Sequence, residues 1–213
     1  MPLIRKTPDT PTSAGKGRPN QSPSLDVGTS EERWEAARAA GDTPASAEAL
    51  GLALGREQNS RVREAIFTSL VRIGTSESVN AVLPHLRAND ANLRTGALDA
   101  LRAMPKSTSP HLSLLLHDPD PDVRILACDL ARNMPVDDVN PLLCDLLTSE
   151  SIPNVCSAAV EVLAETGGPE CLAALAKCAE RFSADPFLSF SIKVACERIG
   201  VQPARGASLD RHS

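Results

Sequence analysis

From residue 62 onward the apolar positions follow a helical period, and the whole block of them returns along the chain. Copies of one pattern start at Val62, Leu93, Val123, Val155 and Leu188, at successive spacings of 31, 30, 32 and 33 residues. Within each copy, apolar or small residues occupy offsets 0, 3, 4, 7, 8 and 11, the period of one buried helical face. The first copy reads Val62, Ala65, Ile66, Ser69, Leu70 and Ile73, and the second Leu93, Gly96, Ala97, Ala100, Leu101 and Met104. The third reads Val123, Leu126, Ala127, Leu130, Ala131 and Met134, the fourth Val155, Ala158, Ala159, Val162, Leu163 and Thr166. The fifth reads Leu188, Ser191, Ile192, Ala195, Cys196 and Ile199. A spacing near thirty residues suits two helices of about a dozen residues and two turns.

Stop signals close each copy. Gly74, Gly167 and Gly200 are placed as helix C-caps, and Pro105 and Pro135 as breakers. The intervals predict partner helices over 78–88, 109–117, 139–148 and 169–182. Pro110, Pro141 and Pro169 are placed to open three of them, and Pro84 is expected to kink the first. Upstream, the spacing of Thr29 to Glu32 fits a capping box for a helix ending near Gly41, and Thr43 before Pro44 offers another start. Residues 1–28, with five prolines at positions 2, 8, 11, 19 and 23 and almost no apolar side chains, predict a mildly basic disordered arm. Residues 201–213 predict a flexible tail. The expected fold is all-α, an α-solenoid of about five helix pairs over 29–200.

Three of the copies carry a further signature. Asn59, Ser60, Arg61, Val62 and Arg63 precede one Ala-rich helix, Asp90, Ala91, Asn92, Leu93 and Arg94 the next, and Asp118, Pro119, Asp120, Pro121, Asp122, Val123 and Arg124 the third. This pattern resembles HEAT repeats, most nearly the bacterial, phycobilisome-lyase-like branch, over roughly residues 45–200. The resemblance implies a ladder of Asp and Arg contacts between repeats. Cys156 and Ser189 replace the arginine in the last two copies, so the ladder is expected to break there.

Composition narrows the function. Aromatic residues make up 2% of the chain and the formal charge is -5, which argues against a surface built for nucleic acid. The six cysteines, Cys128, Cys144, Cys156, Cys171, Cys178 and Cys196, all lie in amphipathic helical stretches and read as reduced core residues, hence a cytoplasmic protein. No apolar leader stands near Met1 and no stretch is apolar enough to span a bilayer, so no membrane association is expected. His85, His111, His117 and His212 are scattered, and no His-Glu dipeptide occurs of the kind on which the metal-dependent hydroxylase among HEAT relatives relies. A DNA glycosylase of that family would need aromatic residues in a basic groove, where this chain has Trp34 alone, outside the repeats. Cys171 and Cys178 share a helical face, with Cys144 in the preceding repeat, and are read as core. No catalysis, metal or cofactor is expected.

What remains is a row at offsets 1, 5 and 9, beside the buried face of the second helix of each pair, the helix that resemblance places on the concave side. It reads Arg63, Phe67 and Val71, then Arg94, Leu98 and Arg102, then Arg124, Cys128 and Arg132. It continues at Val160 and loses its character at Lys193, with Asp99, Asp129 and Glu161 alongside. Two readings stay open: an exposed apolar interface flanked by arginines, or packing between repeats with the arginines paired to nearby acids. The expected function is that of an adaptor or scaffold whose concave face, from Arg63 to Arg132, grips an acidic or amphipathic segment of a partner protein. The alternative is an accessory subunit of a lyase-type or other protein-modifying enzyme, as the resemblance suggests.

Overall fold

A computed structural model describes residues 24–201. Most of the arm, residues 1–23, and the tail, residues 202–213, lie outside the described residues. Among the described residues the only regular structure is helical. Helix α1 is Ser30–Ala40, opened by the expected capping box: the Thr29 side chain accepts from the Glu32 amide, and the Glu32 carboxylate takes the Thr29 amide. A 3-10 turn at Pro44–Ser46 leads into α2, Ala47–Arg56. Then follow α3 (Ser60–Ile73), α4 (Ser76–Val82) with the 3-10 turn Leu83–Arg87, and α5 (Ala91–Arg102). The third pair is α6 (Pro105–Thr108), the turn Ser109–His111 and α7 (Leu112–Leu116), facing α8 (Pro121–Ala131). The last two pairs are α9 (Val136–Ser149) with α10 (Pro153–Thr166), and the turn Pro169–Cys171 and α11 (Leu172–Arg181) with α12 (Pro186–Val201).

These elements form two layers. Helices α1, α3, α5, α8, α10 and α12 stack in sequence as one layer, while α2, α4, the α6–α7 segment, α9 and α11 form the other. The chain therefore holds five helix pairs among the described residues, with α1 standing as an extra member at the head of the second-helix layer. Every position of the repeated apolar pattern is buried or half-buried, so one core runs the length of the stack. Each repeat buries its faces only against its neighbours, as in any solenoid.

Proline and glycine act locally, with some departures from expectation. Pro84 does not bend a continuous helix but converts α4 into a 3-10 turn, because its ring excludes the preceding carbonyl from the α ladder. Pro110 likewise breaks the third partner helix into α6 and α7. Pro141 lies inside α9, which begins a turn earlier at Val136. Gly200 lies within α12 rather than ending it. Gly74 does cap α3 in the left-handed region, at φ 65°, with its amide on the Leu70 carbonyl at 2.9 Å.

The candidate binding face on the second helices

Each second helix is entered through a loop whose backbone must be satisfied, and the offset 1 residue does that. Arg63 donates to the Glu57 carbonyl at 2.6 Å, Arg94 to the Ala88 carbonyl at 2.7 Å and Arg124 to the Asp118 carbonyl at 2.7 Å. All three acceptors stand six residues before the arginine. Where the arginine is replaced, Cys156 keeps its thiol 3.9 Å from the Glu150 carbonyl and Ser189 donates its hydroxyl to Phe182 at 3.3 Å. The arginine's free arm then reaches the next repeat. Arg63 pairs with Asp90 at 2.5 Å, and Arg124 grips Glu150 through two bonds of 2.7 and 3.1 Å.

Glu57 and Glu150 are the same device in the first and fourth pairs of the array. Glu57 takes both arms of Arg33, from α1, at 2.7 and 3.1 Å, and its other demand is met by the amides of Gln58 and Asn59. The Arg33 bond, helped by those amides, holds the Glu57 carboxyl down to about 2, against the opposing effect of burial. Burial would raise Glu150, but the bond from Arg124 and the amides of Ile152 and Ser151 outweigh it, and its pKa is lowered. A second ladder runs at the other end of the helices: Arg102 pairs with Asp99 at 2.7 Å and with Asp129, and Arg132 with Glu161 at 3.2 Å and Glu165 at 2.6 Å.

The offset 5 row is corrected by burial. Leu98 is 8% exposed and Cys128 0%, and Phe67 is half-buried against the core, so these residues are not an exposed stripe. Phe67 lies over Gly96 of the next repeat, where an added Cβ would stand 2.5 Å from its ring. The row faces the following repeat, and it turns to the exposed Lys193 in α12, beyond which no described repeat follows. Burial pushes the Cys128 thiol up to about 12, which leaves it neutral. The arginines of the expected site, Arg63, Arg94, Arg102, Arg124 and Arg132, all spend bonds on carboxylates or carbonyls of the array itself.

Sequence reasoning missed the positions that face outward at offsets -1 and 2, and took offset 6 only as acids beside the row. In α3 they hold Arg61, Glu64 and Thr68, and in α5 Asn92, Thr95 and Asp99, all exposed. In α8 they hold Asp122, Ile125 and Asp129, and in α10 Asn154, Ser157 and Glu161. In α12 the same positions hold Phe187, Phe190 and Val194. Phe187 is 85% exposed and Phe190 67%, half of the four phenylalanines in the chain. Beside them a groove of about 270 Å³ opens between α10 and α12, with Val160, Ala164, Phe190 and Val194 as its apolar walls and Arg198 at its edge. Aligning the five copies at these offsets would have revealed the change.

Residues 108–186 match the family of HEAT repeats. This stretch carries HEAT repeats. The matched HEAT stretch runs through the third and fourth copies, although the first three carry the arginine signature. It includes Cys156, so the match does not require arginine at that position in every copy. No curated protein matches the chain. Among solved structures, an engineered protein is 20% identical at a TM-score of 0.43, covering 83% of this chain and 93% of that one. Human deoxyhypusine hydroxylase in complex with glycerol is 17% identical at 0.42, covering 84% and 82%. The complex of CpcE and CpcF of phycocyanin lyase from Nostoc sp. PCC7120 is 15% identical at 0.35, covering 90% of this chain and 100% of that chain. Among the described residues, no helix is long and apolar enough to cross a membrane.

Proposed function

We propose that the chain is a non-catalytic adaptor that binds a partner protein along the outward face of its second helices, anchored at Phe187 and Phe190. The observation that carries this reading is the change at equivalent positions: mainly polar in four repeats, Phe187, Phe190 and Val194 in the fifth. Two adjacent aromatic rings left in water cost solubility without adding to the core, and exposed apolar clusters of this kind mark interaction sites. The α10–α12 groove beside them has room for an apolar side chain of the partner.

The arginines do not support an acidic partner, since carboxylates of the array already engage Arg63, Arg102, Arg124 and Arg132. An amphipathic helix, apolar on one side, fits better. The test begins with a photo-reactive residue at position 187 in the full chain, which should cross-link one partner in the cell of origin. With that partner purified, Phe187→Glu together with Phe190→Glu should lower affinity by about 100-fold, in the range of interface hot spots. The thermal midpoint should hold, because exposed side chains contribute within about 0.5 kcal/mol. Undiminished binding by the double variant overturns the reading.

A further inference from the structure

The first-helix layer carries a second feature that the proposed binding face does not use. Between α2 and the α4 segment, including the Leu83–Arg87 turn, lies an open groove of about 630 Å³. Its floor is low because the two elements meet at glycine: a Cβ on Gly51 would stand 2.7 Å from that of Ala81, and Gly55, one turn on, presents no side chain either. Leu52, more than half exposed, and Pro84 form apolar walls. Glu48 and Glu77 stand at the rim, and neither makes an ion pair with a described residue. His85, also lining the groove, has its pKa lowered by burial, so it adds little positive charge at neutral pH. The groove is apolar, with Glu48 and Glu77 at its edge and the lining Arg56 paired to Asp26.

The chain itself supplies a complementary segment. Of residues 1–23, the apolar side chains cluster at Leu3 and Ile4, and Arg5 and Lys6 follow directly. The described chain begins at the rim of this groove. Asp26 pairs at 3.6 Å with Arg56, a groove residue, and Leu25 packs against the core. The intervening chain, residues 7–24, spans up to about 60 Å when extended, so reach does not limit the contact. Tethering at such a length gives an effective concentration on the order of millimolar, enough for a short apolar-basic segment to compete with solvent.

We propose that this groove is the docking site of residues 3–6 of the same chain, with Leu3 and Ile4 over Gly51, Leu52 and Pro84, and Arg5 and Lys6 facing Glu48 and Glu77. The experiment compares amide spectra of the isotopically labelled full chain with those of the variant carrying Leu3→Glu and Ile4→Glu. Neither substitution changes a residue of the repeats, so every buried position of the array keeps its side chain. The amides of Gly51, Gly55, Ala81 and His85 should shift between the two chains, and Glu48→Lys with Glu77→Lys should release the amides of residues 3–6. Groove amides that coincide in wild type and arm variant overturn the proposal. Shifts that fade on dilution assign the groove to the arm of a second copy and overturn docking within one chain.

Discussion

Leu98→Asp should unfold much of the array at neutral pH, at a cost of about 4 kcal/mol. The side chain is almost wholly buried in the seam between α5 and the next repeat, so the substitution places a carboxylate in an apolar contact, and the flanking Arg94 and Arg102 already spend their bonds within the array. Cys128→Asp should behave in the same way, since Cys128 occupies the equivalent seam one repeat later with no exposure. In contrast, Thr68→Asp changes an outward-facing residue of α3 and should move the midpoint by no more than about 0.5 kcal/mol. Urea unfolding followed by circular dichroism distinguishes these outcomes. Stability of Leu98→Asp equal to wild type would mean that the row is exposed after all.

Acid should loosen the N-terminal end of the array, and Glu57→Gln should remove that sensitivity. Glu57 titrates near 2 in the folded chain against an ordinary value of 4.5, because Arg33 and two backbone amides bind its charged form. A folded value below the unfolded one means stability that is complete above about 4.5 and lost as the pH falls through about 2. Allowing for the water that reaches Arg33, this linkage is worth about 2 kcal/mol. Glu57→Gln should lose about that amount at pH 7 and should flatten the decline in stability between these limits. The readout is hydrogen exchange of α1 and α2 amides, with the Glu57 carboxyl followed by NMR. An unchanged acid profile in the variant would show that Arg33 and Glu57 do not couple α1 to the first repeat.

Local rules were strong enough to be read from the sequence by itself. A period of about thirty residues with a fixed helical offset set left one way to bury all five copies, and each of those offsets is buried or half-buried in the structure. The capping box at Thr29 and the Gly74 cap were legible for the same reason, since both depend on neighbours within a few residues. Whether a side chain beside the buried stripe meets water or the next repeat depends on how closely the repeats stack, which short-range periodicity does not encode. Only the tertiary structure decided that Leu98 and Cys128 lie in a seam, that Arg63, Arg94 and Arg124 close their own entry loops, and that Glu57 and Glu150 receive arginines from the preceding second helix. It also decided which offsets face outward, and so turned Phe187 and Phe190 from two residues in an apolar stretch into an exposed pair. The physical reason is that helix periodicity fixes which face is apolar, whereas exposure is set by the neighbour across that face.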